Sequence, residues 1–241
     1  MKTLITKGIA LLFIATVSTS CMIEGFNSVN GNRNVITEER NIREDFDRIR
    51  VGQGIRVYIS QDSKTSVVVQ ADENLHDLIE TEVSGGVLKI SSTRNIRRAK
   101  AKKVYITTAT INGIKATSGS DVITENAINA ETFDISTSSG AFAKVEVHAE
   151  TVNSSSSSGA DLKITGSANY HSSNASSGSS IKAYGLESKN VSVKVSSGAN
   201  IDVYASESIK AKASSGGDID YKGSPKSIDR KRSSGGSISS H

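Results

Sequence analysis

Apolar and polar side chains alternate along most of this chain, and the alternation returns at a fixed interval. The pairs Ala143-x-Val145, Leu162-x-Ile164, Ile181-x-Ala183, Ile201-x-Val203 and Ile219-x-Tyr221 each enclose one polar residue. A second alternating run follows in most units: Phe133-x-Ile135, Val191-x-Val193-x-Val195 and Ile209-x-Ala211-x-Ala213. Period-two alternation predicts strands with one buried face, and no segment here carries ten residues of helical periodicity. Each second run ends in Ser-Gly or Ser-Ser-Gly, after which the first pattern starts again.

The glycines of these signals are Gly119, Gly140, Gly159, Gly178, Gly198, Gly216 and Gly235, spaced by 21, 19, 19, 20, 18 and 19 residues. Two or three short strands and a recurring corner every nineteen residues or so describe one coil of a β-solenoid. A single coil cannot bury its own inward face, so neighbours must stack. Six coil steps separate Gly119 from Gly235, a stack about 29 Å long. Glycine at the corner supplies positive φ. The residue after it is always small, and a bulky side chain at Gly198 or Ala199 is expected to clash with adjacent coils. The serine hydroxyls are expected to bond to backbone or to the serine of the next coil.

Upstream the pattern is still β but less regular. Ile55, Val57 and Ile59 alternate, followed by Val67-Val68-Val69, Val87-Leu88-Lys89-Ile90 and Val104-Tyr105-Ile106, with one helical turn predicted in Asn74–Glu80. Residues 45–115 read as irregular coils or a β-subdomain closing one end of the stack, and 116–241 as the regular solenoid. Residues 22–44 are polar and read as a tether. In residues 1–21, Lys2 and Lys7 precede an apolar run at Gly8–Val17, then small residues and Cys21. The run is too short to span a bilayer, and the arrangement is that of an export signal. With the chain's single cysteine directly after it, the expectation is a lipoprotein acylated at Cys21, although Ser18 stands where a lipobox has leucine.

An acylated Cys21 leaves no free thiol for a disulfide, a metal site or a nucleophile. The formal net charge is +4. The first twenty residues hold two lysines and no acid, so from Cys21 onward 27 basic residues face 25 acidic ones, or +2. That is no nucleic-acid footprint. Tryptophan is absent and aromatics make up 5%, so stability must come from aliphatic packing and backbone pairing.

Candidate chemistry is sparse. Lys144, Lys163 and Lys182 share one position on successive coils, where like charges repel unless an anion lies across them. They form a candidate ligand-facing basic ladder, or a solvated face with splayed side chains. Asp161 and Asp218 share another column but are three coils apart, too far for a catalytic pair; Asp and Asn there suit the residue after a turn. His76, His148, His171 and His241 show no metal-ligand spacing. No P-loop, nucleophile elbow or dinucleotide motif occurs in a strand-to-helix setting. No cofactor and no metal are expected.

The segments DFDRIRVGQGIRVYISQ, VSGGVLKI and KKVYITTATINGIKATSGSDV, ahead of the Ser-Ser-Gly coils, resemble the bacterial head-GIN-domain family of autotransporter-adhesin-like proteins common in Bacteroidota. The resemblance runs from about Asp45 to Ile238. It implies a right-handed parallel β-helix and carries no catalytic residues to transfer. The expected fold class is therefore all-β, a right-handed solenoid. The expected function is a non-enzymatic, lipid-anchored cell-envelope protein that binds a glycan or an envelope protein through its long faces, exported to the outer membrane on its periplasmic face or the cell surface. Two rivals are a carbohydrate-active enzyme on a β-helix and a structural or signalling protein of the periplasm.

Overall fold

A computed structural model describes residues 28–241; Cys21 and the expected export signal lie outside the described residues. The chain forms a β-solenoid of about seven turns at a spacing of about nineteen residues. The irregular part contains β1 (Ser28–Asn30), β2 (Val35–Glu39), β3 (Arg48–Val51), β4 (Arg56–Gln61), β5 (Ser66–Asp72), β6 (Ile79–Ser84), β7 (Val87–Ser92), β8 (Asn95–Arg98) and β9 (Lys102–Thr108). Here β3 and β4 are already coil strands, paired in parallel with β7 and β9. Antiparallel pairs close the end of the stack: β6 with β7, and β5 with both β9 and β2. The helical turn is a single 3-10 turn at Glu73–Leu75, with Leu75 buried.

The described part of the expected tether, residues 28–44, is built into this cap, which corrects the sequence reading. β2 pairs with β5, and β1 runs parallel to β8. Asp72 fastens them: its buried carboxylate accepts from the backbone N–H groups of Arg33, Lys100 and Ala101 at 2.9–3.1 Å. Burial works to raise its pKa, but these donors outweigh it and hold the carboxyl below its ordinary value. Backbone pairing, rather than an apolar face, makes β2 a strand, so VITEE showed little hydrophobic signal.

The regular coils comprise β10 (Gly113–Ala116), β11 (Asp121–Thr124), β12 (Ile128–Thr137), β13 (Phe142–Ser156), β14 (Asp161–Ala175), β15 (Ser180–Val195), β16 (Asn200–Ala213), β17 (Asp218–Lys222), β18 (Ser227–Arg232) and β19 (Ser237–Ser240). They pair in parallel, one coil on the next. Inward positions stack in files. Val104, Val57, Val122, Ala143, Leu162, Ile181, Ile201, Ile219 and Ile238 form one file, in register and buried throughout. Within the long strands the register slips at Lys163/Thr165, Ala183/Glu187 and Ser188/Asn190, and the two extra residues of the 21-residue coil lie between β11 and β12. The insertions are thus absorbed away from the corner.

At each corner serine and glycine both have positive φ, for example 54° at Ser197 and 67° at Gly198, and the following N–H closes the turn, Ala199 to Ser196 O at 3.2 Å. This is the pattern of a type I′ turn. The glycine N–H then donates to the serine carbonyl of the next coil, as from Gly198 to Ser215 O at 3.1 Å. The corner itself therefore belongs to the ladder. A side chain on Gly198 would meet nothing within 4 Å, so the expected crowding there is corrected: the glycine answers to φ alone. Crowding sits one residue on. A Cβ on Gly217 would come within 2.9 Å of Val195 and one on Gly236 within 2.5 Å of Ala213. Serines that close the corner turns bond to backbone as expected: Ser120 donates to the Val51 carbonyl of the adjacent coil at 3.3 Å and Ser179 to Ser176 O of its own turn at 2.9 Å. Hydroxyl-to-hydroxyl bonds between coils come instead from inward-facing strand residues, Thr137 to Ser156 at 2.9 Å and Ser154 to Ser173 at 2.8 Å.

Inward positions of β18 depart from the aliphatic files. Arg230 continues Val193 and Ala211, and Arg232 continues Val195 and Ala213. The Arg230 guanidinium lies 4.9 Å from the Tyr221 ring centre and bonds its hydroxyl. Inward charges of this kind blunt an exposed sheet edge.

Candidate functional site

A solenoid presents its outward side chains in straight files, and those files are its functional geometry. On the strand after the corner, one file runs Tyr105, Tyr58, Ile123, Lys144, Lys163, Lys182, Asp202, Asp220 and Ser239. The predicted basic ladder is thus brought together: Lys144, Lys163 and Lys182 are exposed and in register on three adjacent coils, a backbone spacing of about 4.8 Å. Toward the cap the file ends in a parallel stack of Tyr58 on Tyr105, with ring centres 5.2 Å apart.

Toward the other end the file turns acidic. Burial, then the neighbouring Asp220, raises the pKa of Asp202, and Lys182 only partly offsets them. Burial and the same aspartates push the Tyr184 hydroxyl to about 12, while the Lys222 ammonium sits 4.5 Å from the Tyr184 ring centre. Asp202 and Asp220 stand side by side on adjacent coils, directly after the three lysines in the same file.

The neighbouring file holds Arg56, Asp121, Phe142, Asp161, Ser180, Asn200, Asp218 and Ser237. Asp161 and Asp218 are three coils apart, as expected. Asp121 is occupied by Arg56, which donates from Nε at 3.0 Å and Nη2 at 2.7 Å. Of the histidines, His76 is buried against the Ile36 and Ala71 carbonyls, His171 is buried in the core, and His148 and His241 are tied to Ser167 and Asp220. Among the described residues no three His, Cys, Asp or Glu side chains converge as a metal would require. The corner glycines hold the two faces at a fixed angle and offer no reactive group. Cys21 lies outside the described residues.

A file on the strand before the corner escaped the sequence reading. It runs Lys89, Arg50, Lys115, Ser136, Ser155, Asn174, Lys194, Lys212 and Lys231. From Lys115 onward each member lies four residues before a corner glycine. Counting backward from that glycine, as well as forward, would have found it.

The family described as "Putative auto-transporter adhesin, head GIN domain" matches residues 45–225. Among solved structures, a "putative adhesin" from Bacteroides fragilis superposes with a TM-score of 0.82 at 25% identity, covering 88% of this chain and 100% of that one. A "putative adhesin" and a "putative lipid binding protein", both from Parabacteroides distasonis, superpose at 0.74 and 0.72, with 21% and 23% identity; each covers 89% of this chain and 100% and 99% of its own. These two share the fold. Among curated proteins none matches. With three quarters of its length matched, this chain belongs to the head-GIN-domain family of auto-transporter-adhesin-like proteins.

Proposed function

We propose that the protein is a non-enzymatic, lipid-anchored adhesin of the cell envelope, holding a glycan or an envelope protein along its solenoid faces, with Cys21 as the acylated residue. The observation that carries this reading is the in-register Lys144–Lys163–Lys182 ladder, a linear set of exposed cations at coil spacing on a rigid support. A family of adhesin-like proteins fits a non-enzymatic, exported role. The anchor and the export rest on the sequence around Cys21. The test is address. An epitope tag after His241 and antibody staining of intact and permeabilised host cells, with Cys21→Ala as control, should give surface staining that is lost without the cysteine. Staining only after permeabilisation would sink the adhesin reading.

The Asp202–Asp220 pair favours one other reading, glycoside hydrolysis, because retaining glycosidases use two carboxyl groups about 5 Å apart. Release of reducing ends from polysaccharides by the wild type, abolished in Asp202→Asn, would establish it. Equal background in both would remove it.

A further inference from the structure

The strand preceding the corner carries a groove that no sequence motif announced. It is about 570 Å³ toward the cap and continues into a second hollow of about 460 Å³, the two meeting at Ser155 and Asn174. Short polar side chains, Ser136, Asn153, Ser155, Ser172 and Asn174, line its floor, with Val87 and the edges of three isoleucines toward the cap. Gly113 lowers it further, standing without a side chain between Arg48 and Asp134 in their file.

Charge is distributed unevenly along this groove. Arg50 and Lys115 flank it at one end, on adjacent coils, and Lys194 and Lys212 at the other, again on adjacent coils. Among the described residues none of these four makes an ion pair. The single acid on the groove wall, Asp134, is engaged: Arg48 lies 3.7 Å away and Asn153 donates to it at 3.0 Å. Lys89 and Lys231 extend the two cationic ends. Glu82 faces Lys89 across the β6–β7 pair, and Asp229 lies beside Lys210.

Four coil steps separate Lys115 from Lys194, about 19 Å at the usual strand spacing. A ligand that satisfies both ends must therefore be extended, anionic at intervals, and polar between its charges. Its long axis must follow the stack. We infer that this groove binds a linear acidic polysaccharide, with carboxylates at the two cationic ends and sugar hydroxyls on the serine and asparagine floor. Hydroxyl and amide side chains both donate and accept, as sugar hydroxyls do. A single-stranded nucleic acid would seek aromatic platforms, and no aromatic residue lines either hollow. The inference deepens the proposed glycan-binding role and rests on it, but it names a different face from the Lys144–Lys163–Lys182 ladder.

The test is calorimetric titration of the full-length protein in detergent with polygalacturonate, with digalacturonate, neutral amylose and polyglutamate as comparators. Three multiple variants are compared: Arg50→Ser with Lys115→Ser, Lys194→Ser with Lys212→Ser, and the ladder triple Lys144→Ser, Lys163→Ser, Lys182→Ser. All positions are surface ones, and thermal melts confirm that each variant folds. Polygalacturonate should bind, and each end variant should weaken it about tenfold or more. The ladder triple, on the face that carries the adhesin reading, should weaken polygalacturonate binding less than either end variant. Amylose should not bind, and digalacturonate, too short to reach both ends, should bind far more weakly than the polymer. Loss of binding in the ladder triple with retention in both end variants would overturn the assignment of the face. Equal affinity for polyglutamate would overturn the saccharide. Absence of polygalacturonate binding would overturn the inference as a whole; surface staining lost with Cys21→Ala would then leave the broader adhesin reading standing.

Discussion

Inside the stack, His171 Nε2 lies 2.9 Å from Ser154 Oγ on the preceding coil. Ser154 donates onward to Ser173 at 2.8 Å, so the histidine is the donor and its Nδ1 carries a lone pair. That nitrogen has no partner. His171 stands in the inward file between Val152 and Val191, fully enclosed, and burial pushes its pKa from 6.5 down to about 4.

This histidine makes the fold acid-sensitive. The unfolded chain takes up the proton at an ordinary histidine pKa, the folded chain only near 4. Stability from this residue is complete above about pH 6.5 and declines as pH falls toward 4, by on the order of 3 kcal/mol. Thermal melts across pH 7.5 to 4 should show this loss. His171→Val should flatten the curve at little cost at neutral pH. An unchanged slope in that variant would place the acid sensitivity elsewhere.

Ile201 is wholly buried in the inward file that runs from Val104 to Ile238. Ile201→Asp puts an unpaired charge there and should cost about 4 kcal/mol or more, comparable with the stability of a whole domain. Lys163→Ala, on the outward side of the previous coils, should change it by less than about 0.5 kcal/mol. Denaturant midpoints compare the two, and a tolerated Ile201→Asp would contradict the inward register.

The two corner positions should respond through different physics. Gly198→Ala finds open space but keeps positive φ, a strain of about 1 kcal/mol. Ala199→Leu forces bulk into a buried site and should cost about 1–3 kcal/mol by overpacking. Ser197→Asn tests the same backbone, since asparagine tolerates the left-handed region better; it should be neutral or mildly stabilising in equilibrium unfolding.

Arg230 and Arg232 occupy inward positions of β18, whose outer edge is unpaired among the described residues. Arg230→Val with Arg232→Val should leave an apolar file exposed at that edge and promote self-association. Sedimentation should detect larger species in the double variant, whereas a monomer indistinguishable from wild type would deny the arginines this role.

The solenoid was legible because its period is enforced by neighbours. Each inward residue from Val122 to Ile238 must match the one below it, so alternation and spacing repeat in the sequence itself. The cap was less legible. β2 is held by backbone pairing and by the Asp72 carboxylate, neither of which leaves a hydrophobic pattern in VITEE. The ladder lysines could be seen because they follow the glycine at constant offset. The groove could not, because its floor is made of serine and asparagine, which read as turn or linker composition until the register sets them side by side. The corner glycines were found for a sound reason, positive φ; of the crowding expected at Gly198 and Ala199, the glycine position is open and the position after it is tight.

The most direct test of the adhesin account is adherence by the host cell. A deletion strain, the strain complemented with the wild-type chain, and the strain complemented with Cys21→Ala would be scored for retention on surfaces coated with purified polysaccharides or envelope extracts. The account predicts retention with the wild type alone, because binding needs both the solenoid faces and the anchor. Equal retention by all three strains would contradict it.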